Sequence, residues 1–154
     1  METWELIARE RIRDTLARYT WSVDSLRAEE LAGAFCEDGE LEVRGGEPVR
    51  GRAAIAAFIA GVGRRPPAAA TGPAARRIVR HHVTNVRFLE LEPDRALVAS
   101  YFTVLTEIGL DHYGRYRDTL VPAGDDWLIR HRFVSTDWRA EASTMAPPAA
   151  TRSR

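Results

Sequence analysis

Residues 78–91 read IVRHHVTNVRFLEL, and three more stretches of the same character follow, at Ala96–Ile108, His112–Val121 and Trp127–Trp138. β-Branched and aromatic residues crowd all four, which is the composition of strands. The interruptions are short: Glu92-Pro93-Asp94, Gly109-Leu110-Asp111 and Pro122-Ala123-Gly124-Asp125-Asp126. Strands joined so tightly run antiparallel, because a parallel return needs a long crossover. The back half of the chain is therefore predicted to be an antiparallel meander.

Ahead of it the period changes. From Trp4 to Ser22, Ile7, Ile12, Leu16 and Tyr19 fall near helical spacing, with Val23 just beyond and charges in the gaps. A break follows at Val23-Asp24-Ser25, where Asp24 or Ser25 could cap a turn. A second helix is predicted over Ala28–Phe35, burying Leu31 and Phe35. Asp38-Gly39 reads as a turn, Leu41–Arg44 as a short strand ended by Gly45-Gly46, and Arg52–Val62 as a third helix with Ile55, Phe58 and Ile59 on one face. Gly63–Ala75 holds three prolines and two glycines, and is either a flap over a pocket or a plain connection. The expected architecture is α+β: three N-terminal helices on a strongly curved, mainly antiparallel sheet, forming a cone with an internal cavity. One domain is expected over 1–139, with a disordered tail over 140–154.

Composition narrows function by exclusion. A chain of 154 residues is the size of one domain with a sizeable core. Twenty-two basic and 22 acidic side chains balance, so nothing points to nucleic acid or an anionic membrane. No apolar run approaches a membrane span, and Met1–Glu5 lacks the basic and apolar parts of a signal peptide; a soluble, cytoplasmic protein is expected. Cys36 is the single cysteine, which excludes an internal disulfide and a cysteine zinc cluster. There is no lysine, which excludes lysine Schiff-base chemistry. The histidines His81, His82, His112 and His131 show no metal-ligand spacing, so neither a metal nor another cofactor is expected.

What remains is proton chemistry. Tyr19-Thr20-Trp21-Ser22-Val23-Asp24 ends the first helix, and Arg80-His81-His82-Val83-Thr84-Asn85 opens the sheet. A carboxylate beside an imidazole is the simplest device for moving protons near neutral pH. Neighbours on a strand face opposite ways, so only one of His81 and His82 can enter the cavity.

These pieces, with Asp38-Gly39-Glu40-Leu41, Gly51-Arg52-Ala53-Ala54-Ile55, Gly114-Arg115-Tyr116-Arg117-Asp118 and Asp126-Trp127-Leu128-Ile129 followed by Arg132, resemble the SnoaL-like branch of the nuclear transport factor 2-like superfamily. The resemblance runs from about Ile7 to Trp138. Among the relatives are scytalone dehydratase, bile-acid dehydratases, hexachlorocyclohexane dehydrochlorinase, polyketide cyclases and isomerases. The small subunits of ring-hydroxylating dioxygenases also belong. The dehydratases use an aspartate–histidine dyad, which the motif match places on Asp24 and His82. Their arginine falls on Arg132, and the tyrosine of the bile-acid enzymes on Tyr19. The resemblance thus implies a cofactor-independent dehydratase: His82 as base, Asp24 orienting it, Tyr19 or Arg132 assisting the leaving group or an enolate. The alternatives are a cyclase or isomerase with the same dyad, or a non-catalytic binding or assembly subunit. Plainer roles stand beside each: Asp24 as a helix cap, Tyr19 as core, Arg132 as a solvated strand arginine that a bulge could exchange with Arg130. Where scytalone dehydratase has its second pocket histidine, the nearest equivalent here is Thr106. Leu16, Phe35, Phe58, Asn85, Tyr101, Thr103 and Tyr116 are expected to line a pocket for an apolar, cyclic small molecule. A broad outer sheet face suggests a homodimer.

Overall fold

The structure, a computed structural model, describes residues 1–63 and 78–146. The expected Gly63–Ala75 flap lies outside the described residues except for Gly63. The helices are α1 (Thr3–Asp24), α2 (Ala28–Ala32) and α3 (Arg52–Gly63). The strands are β1 (Phe35–Val43), β2 (Val49–Arg50), β3 (Val79–Glu92), β4 (Arg95–Thr106), β5 (Gly109–Ala123) and β6 (Asp126–Arg139). They form one curled, open sheet in the order β2-β1-β6-β5-β4-β3, antiparallel except where β1 runs alongside β6.

The main core lies between the helices and the sheet. Ile12, Leu16 and Tyr19 of α1 meet Leu31, Phe35, Ile55 and Ile129 there, all buried. Each large side chain so buried contributes about 1.5–3 kcal/mol. Thr15 fixes the helix to the last hairpin by donating to the Trp127 carbonyl at 2.6 Å, and Arg18 pairs with Asp126 at 2.9 Å. A smaller cluster of Val79, Phe102, Val104 and Tyr116 continues the apolar interior along the sheet.

Two local expectations are corrected. The second helix stops at Ala32, and Phe35 already begins β1. Asp38-Gly39 is not a turn but part of that strand, at a register shift between Phe35 and Glu40. The backbone crowds Gly39 there: a Cβ would stand 3.0 Å from the carbonyl oxygens of Cys36 and Ile129. The tail also departs from expectation over 140–146. Arg139 donates to the carbonyls of Ser143 (2.8 Å) and Ala146 (2.9 Å), folding this segment back against the sheet.

Gly114 on β5 has no room for a side chain between β4 and β6. A Cβ there would overlap the Ser135 carbonyl and come within 2.8 Å of the Phe102 ring. Gly114→Ala is expected to destabilise the protein by about 1–3 kcal/mol, the usual cost of overpacking. Urea unfolding would show it as a lower midpoint at unchanged slope; an unchanged midpoint would contradict this packing.

Candidate active site

Register decides which side chains share a face. His81 on β3 stands directly opposite Val104 on β4, and Val104 stands opposite His112 on β5. Residues in one such row project to one face of the sheet. Val104 is fully buried on the inner face, so His81 and His112 project inward with it. Both line a cavity of about 690 Å³ between the sheet, α1 and α3. Its wall is mostly apolar and includes Val23, Phe58, Ile59, Phe102, Val134 and Met145, with the rings of Tyr19 and Tyr116.

Asp24 is the last residue of α1 and reaches His81. Its Oδ1 lies 2.6 Å from the His81 Nδ1, and its two oxygens accept the His81 backbone N–H at 3.2 and 3.0 Å. One carboxylate thus fixes both the strand and the ring carried by it. With Nδ1–H directed at an acceptor-only group, Nε2 is left with its lone pair. His82 is corrected here. Its side chain is exposed on the opposite face, and no bond joins it to Asp24. Alternation gives the cavity to His81 instead.

A second aspartate–histidine pair, unanticipated from the sequence, occupies the same row. His112 Nδ1 lies 2.6 Å from Asp111 Oδ1. Asp111 also accepts from the hydroxyls of Ser143 (2.6 Å) and Thr106 (3.1 Å). Adjacent strand residues should face apart, but the β4–β5 register skips Asp111 between Val104 and Leu105. That bulge turns the carboxylate toward its neighbour's ring. Burial pushes the His112 imidazole below its usual value, against the opposing pull of Asp111, with His81 and Arg139 adding to the lowering. Burial would raise Asp111, but hydrogen bonds from Ser143 and His112 outweigh it and hold the carboxyl below its usual range.

These directions fix a pH dependence. As pH falls, the unfolded chain takes up the histidine proton first, near 6.5, and the aspartate proton near 3.8, before the folded protein does. The histidine contribution is therefore complete above about pH 6.5 and is lost below it; that of Asp111 is lost only below about pH 4. The melting temperature should fall from pH 7.5 to 5.5, and by less in His112→Gln. Equal slopes in the two proteins would remove His112 as the cause.

The other expected site residues divide. Tyr19, Phe58 and Tyr116 line the cavity. Leu16 and Phe35 do not; they are buried in the core between helices and sheet. Tyr101 and Thr103 point to the outer face, where they line a separate groove of about 660 Å³. Asn85 is exposed, at a positive φ of 54° beside a register shift in β3, and not in the cavity. Arg132 is fully buried but is not part of the cavity wall: it donates twice to Asp118, at 2.8 Å each. Its guanidinium stands over two rings set edge-on to each other, Tyr19 (4.1 Å) and Tyr116 (4.2 Å). The β5–β6 register skips Arg130, and that bulge leaves Arg130 outside, paired with Asp38, while Arg132 turns in. Burial raises both tyrosine hydroxyls above their usual value, against the pull of the Arg132 cation, so both stay protonated.

Among the described residues, one group could gather around a cation: Glu40, Glu42 and His131 bring one ligand atom each within 4.8 Å of one another. Glu40 is already paired with Arg50 there at 2.7 Å. No described helix is long and apolar enough to cross a membrane.

A curled open sheet with helices over its inner face and a polar-tipped apolar cavity defines the cone class of small α+β domains. The chain belongs to the SnoaL-like family: the model of the SnoaL-like domain matches residues 4–133. Among solved structures it is similar to a protein of unknown function from Mycobacterium tuberculosis (27% identity, TM-score 0.73, 92% of this chain and 78% of that one). It is similar in fold to a candidate scytalone dehydratase from Novosphingobium aromaticivorans (22% identity, TM-score 0.76, 97% and 95%). A protein from Catenulispora acidiphila solved in complex with S-DNPA is also similar (26% identity, TM-score 0.71, 84% and 92%). No curated protein sequence matches the chain.

Proposed function

We propose that this protein is a cofactor-independent acid–base enzyme acting on an apolar, cyclic small molecule, and that its reaction is an elimination of water. The observation that carries the reading is the Asp24–His81 pair at the wall of an apolar cavity. Asp24 orients the ring and holds the hydrogen on Nδ1, so the His81 Nε2 can take a proton from a carbon next to a carbonyl. The electron pair of that C–H bond forms the new double bond as the C–O bond breaks, and the proton taken by His81 Nε2 passes to the departing oxygen, which leaves as water. The protonated Tyr19 and Tyr116 hydroxyls are the cavity's donors for the carbonyl or the departing oxygen. Arg132 acts behind them, as a cation under their rings. The similarity to a candidate scytalone dehydratase agrees with this class of reaction.

The test is a panel of cyclic β-hydroxy ketones, followed by the absorbance of the conjugated enone. Enone formation is expected with at least one of them, and its loss in His81→Ala. Undiminished formation in that variant would sink the reading.

A further inference from the structure

The Asp111–His112 pair has no part in the reaction as written above, yet it is built as carefully as the first. Asp111 is 1% exposed and its carboxylate receives three donors: two hydroxyls and the ring. A carboxylate accepts only, so the ring's Nδ1 must carry the hydrogen, and Nε2 is left as an acceptor. No described group donates to that Nε2. The ring itself is held edge-on against Phe102, at 5.8 Å between centroids, and lines the cavity. An acceptor-only nitrogen on an apolar wall selects one kind of partner, a hydroxyl or N–H donor on the ligand.

We propose that His112 is the cavity's hydroxyl-recognition group: its Nε2 accepts the hydrogen of a ring hydroxyl and fixes which edge of the substrate meets His81. The inference rests on the reading of this cavity as the site for an apolar ring. The geometry adds a size. His81 and His112 are two strand spacings apart in one row, about 9.5 Å between backbones. Their rings reach inward from a concave surface, so the gap between the two free nitrogens fits a fused or single ring lying across Val104. The substrate class is then an apolar ring with its reacting C–H at one edge and a hydroxyl at the other. His112 is a specificity residue in this scheme, not the base. Burial, which keeps its imidazole neutral near pH 7, keeps it an acceptor.

The experiment needs binding alone. Affinities of 2-naphthol and 2-methylnaphthalene, nearly equal in size, are measured by fluorescence titration at pH 7.5. Wild type should bind the naphthol roughly tenfold or more tightly than the methyl compound, since leaving a buried acceptor unpaired is costly. His112→Phe should bind both equally, with the methyl compound reporting that the cavity is intact. His112→Leu, which also has no side-chain acceptor, is read the same way if the Phe variant does not fold. His81→Ala should keep the preference. A preference that survives in the His112 variants, or none in wild type, overturns the proposal. The proposed dehydration fails separately, by enone formation that outlives His81→Ala; its failure leaves the naphthol preference untouched.

Discussion

His81→Ala is expected to lower kcat/KM for any substrate of this cavity by about 100- to 10,000-fold, while His82→Ala leaves it within about twofold. The two residues are neighbours of identical chemistry, so the comparison removes every explanation except direction. His81 faces inward and shares a hydrogen with Asp24; His82 is exposed on the other side of the same strand. The expected loss is that of a positioned general base, whose removal leaves binding and the tyrosine donors in place. Equal losses in the two variants would mean that damage to β3, and not lost proton transfer, is being read.

Asp24→Asn refines the same prediction. The amide can still accept the His81 backbone N–H, so the strand stays attached to α1. If the side-chain NH₂ faces the ring instead, Nδ1 must become the acceptor and Nε2 carries the hydrogen. The base is then in the wrong tautomer, and the loss should approach that of His81→Ala. Histidine NMR would see the change independently, as a shift of the His81 ring signals with those of His112 unmoved.

The strands of the meander were legible because their turns are: Pro93-Asp94 and Gly124-Asp125 fall in two of them, and Gly109, which opens β5, directly follows the third. The α+β arrangement follows from them and from the helical period of α1. What the sequence hid is the parity of individual strands. A one-residue slip moves every side chain to the other face, and β1, β3, β5 and β6 each contain a register shift. Nothing in His81-His82 says which ring enters, and the family match chose the exposed one. Asp38-Gly39 has turn composition but sits in a strand, because the glycine serves a close backbone approach there. His112 could have been found. It lies four residues before Tyr116, an even spacing that puts both on one face of a strand, and Tyr116 was expected in the pocket. Its partner could not, since the bulge that turns Asp111 inward has no glycine to mark it.

Asp118→Ala should be the most damaging substitution for stability outside the apolar core, costing about 3–5 kcal/mol. Arg132 is fully buried, and Asp118 is its only hydrogen-bonding counterion among the described residues. Among the described residues the Arg132 Nη1 finds no hydrogen-bond partner, and the Tyr19 and Tyr116 rings stand beside the rest of the charge. Remove the carboxylate and the cation cannot neutralise itself, because arginine does not lose its proton in proteins. Arg132→Met is the informative contrast. It leaves a buried carboxylate, but a carboxylate can take up a proton, so the loss should be smaller and should shrink further as pH is lowered toward 5. For a chain of this size, the Asp118→Ala loss corresponds to a melting temperature lower by roughly 6–20 °C. The order of the two variants decides the matter. If Arg132→Met were the less stable protein at pH 7, the pair would matter through the packing of the arginine against Tyr19 and Tyr116, and not through the charge that Asp118 balances.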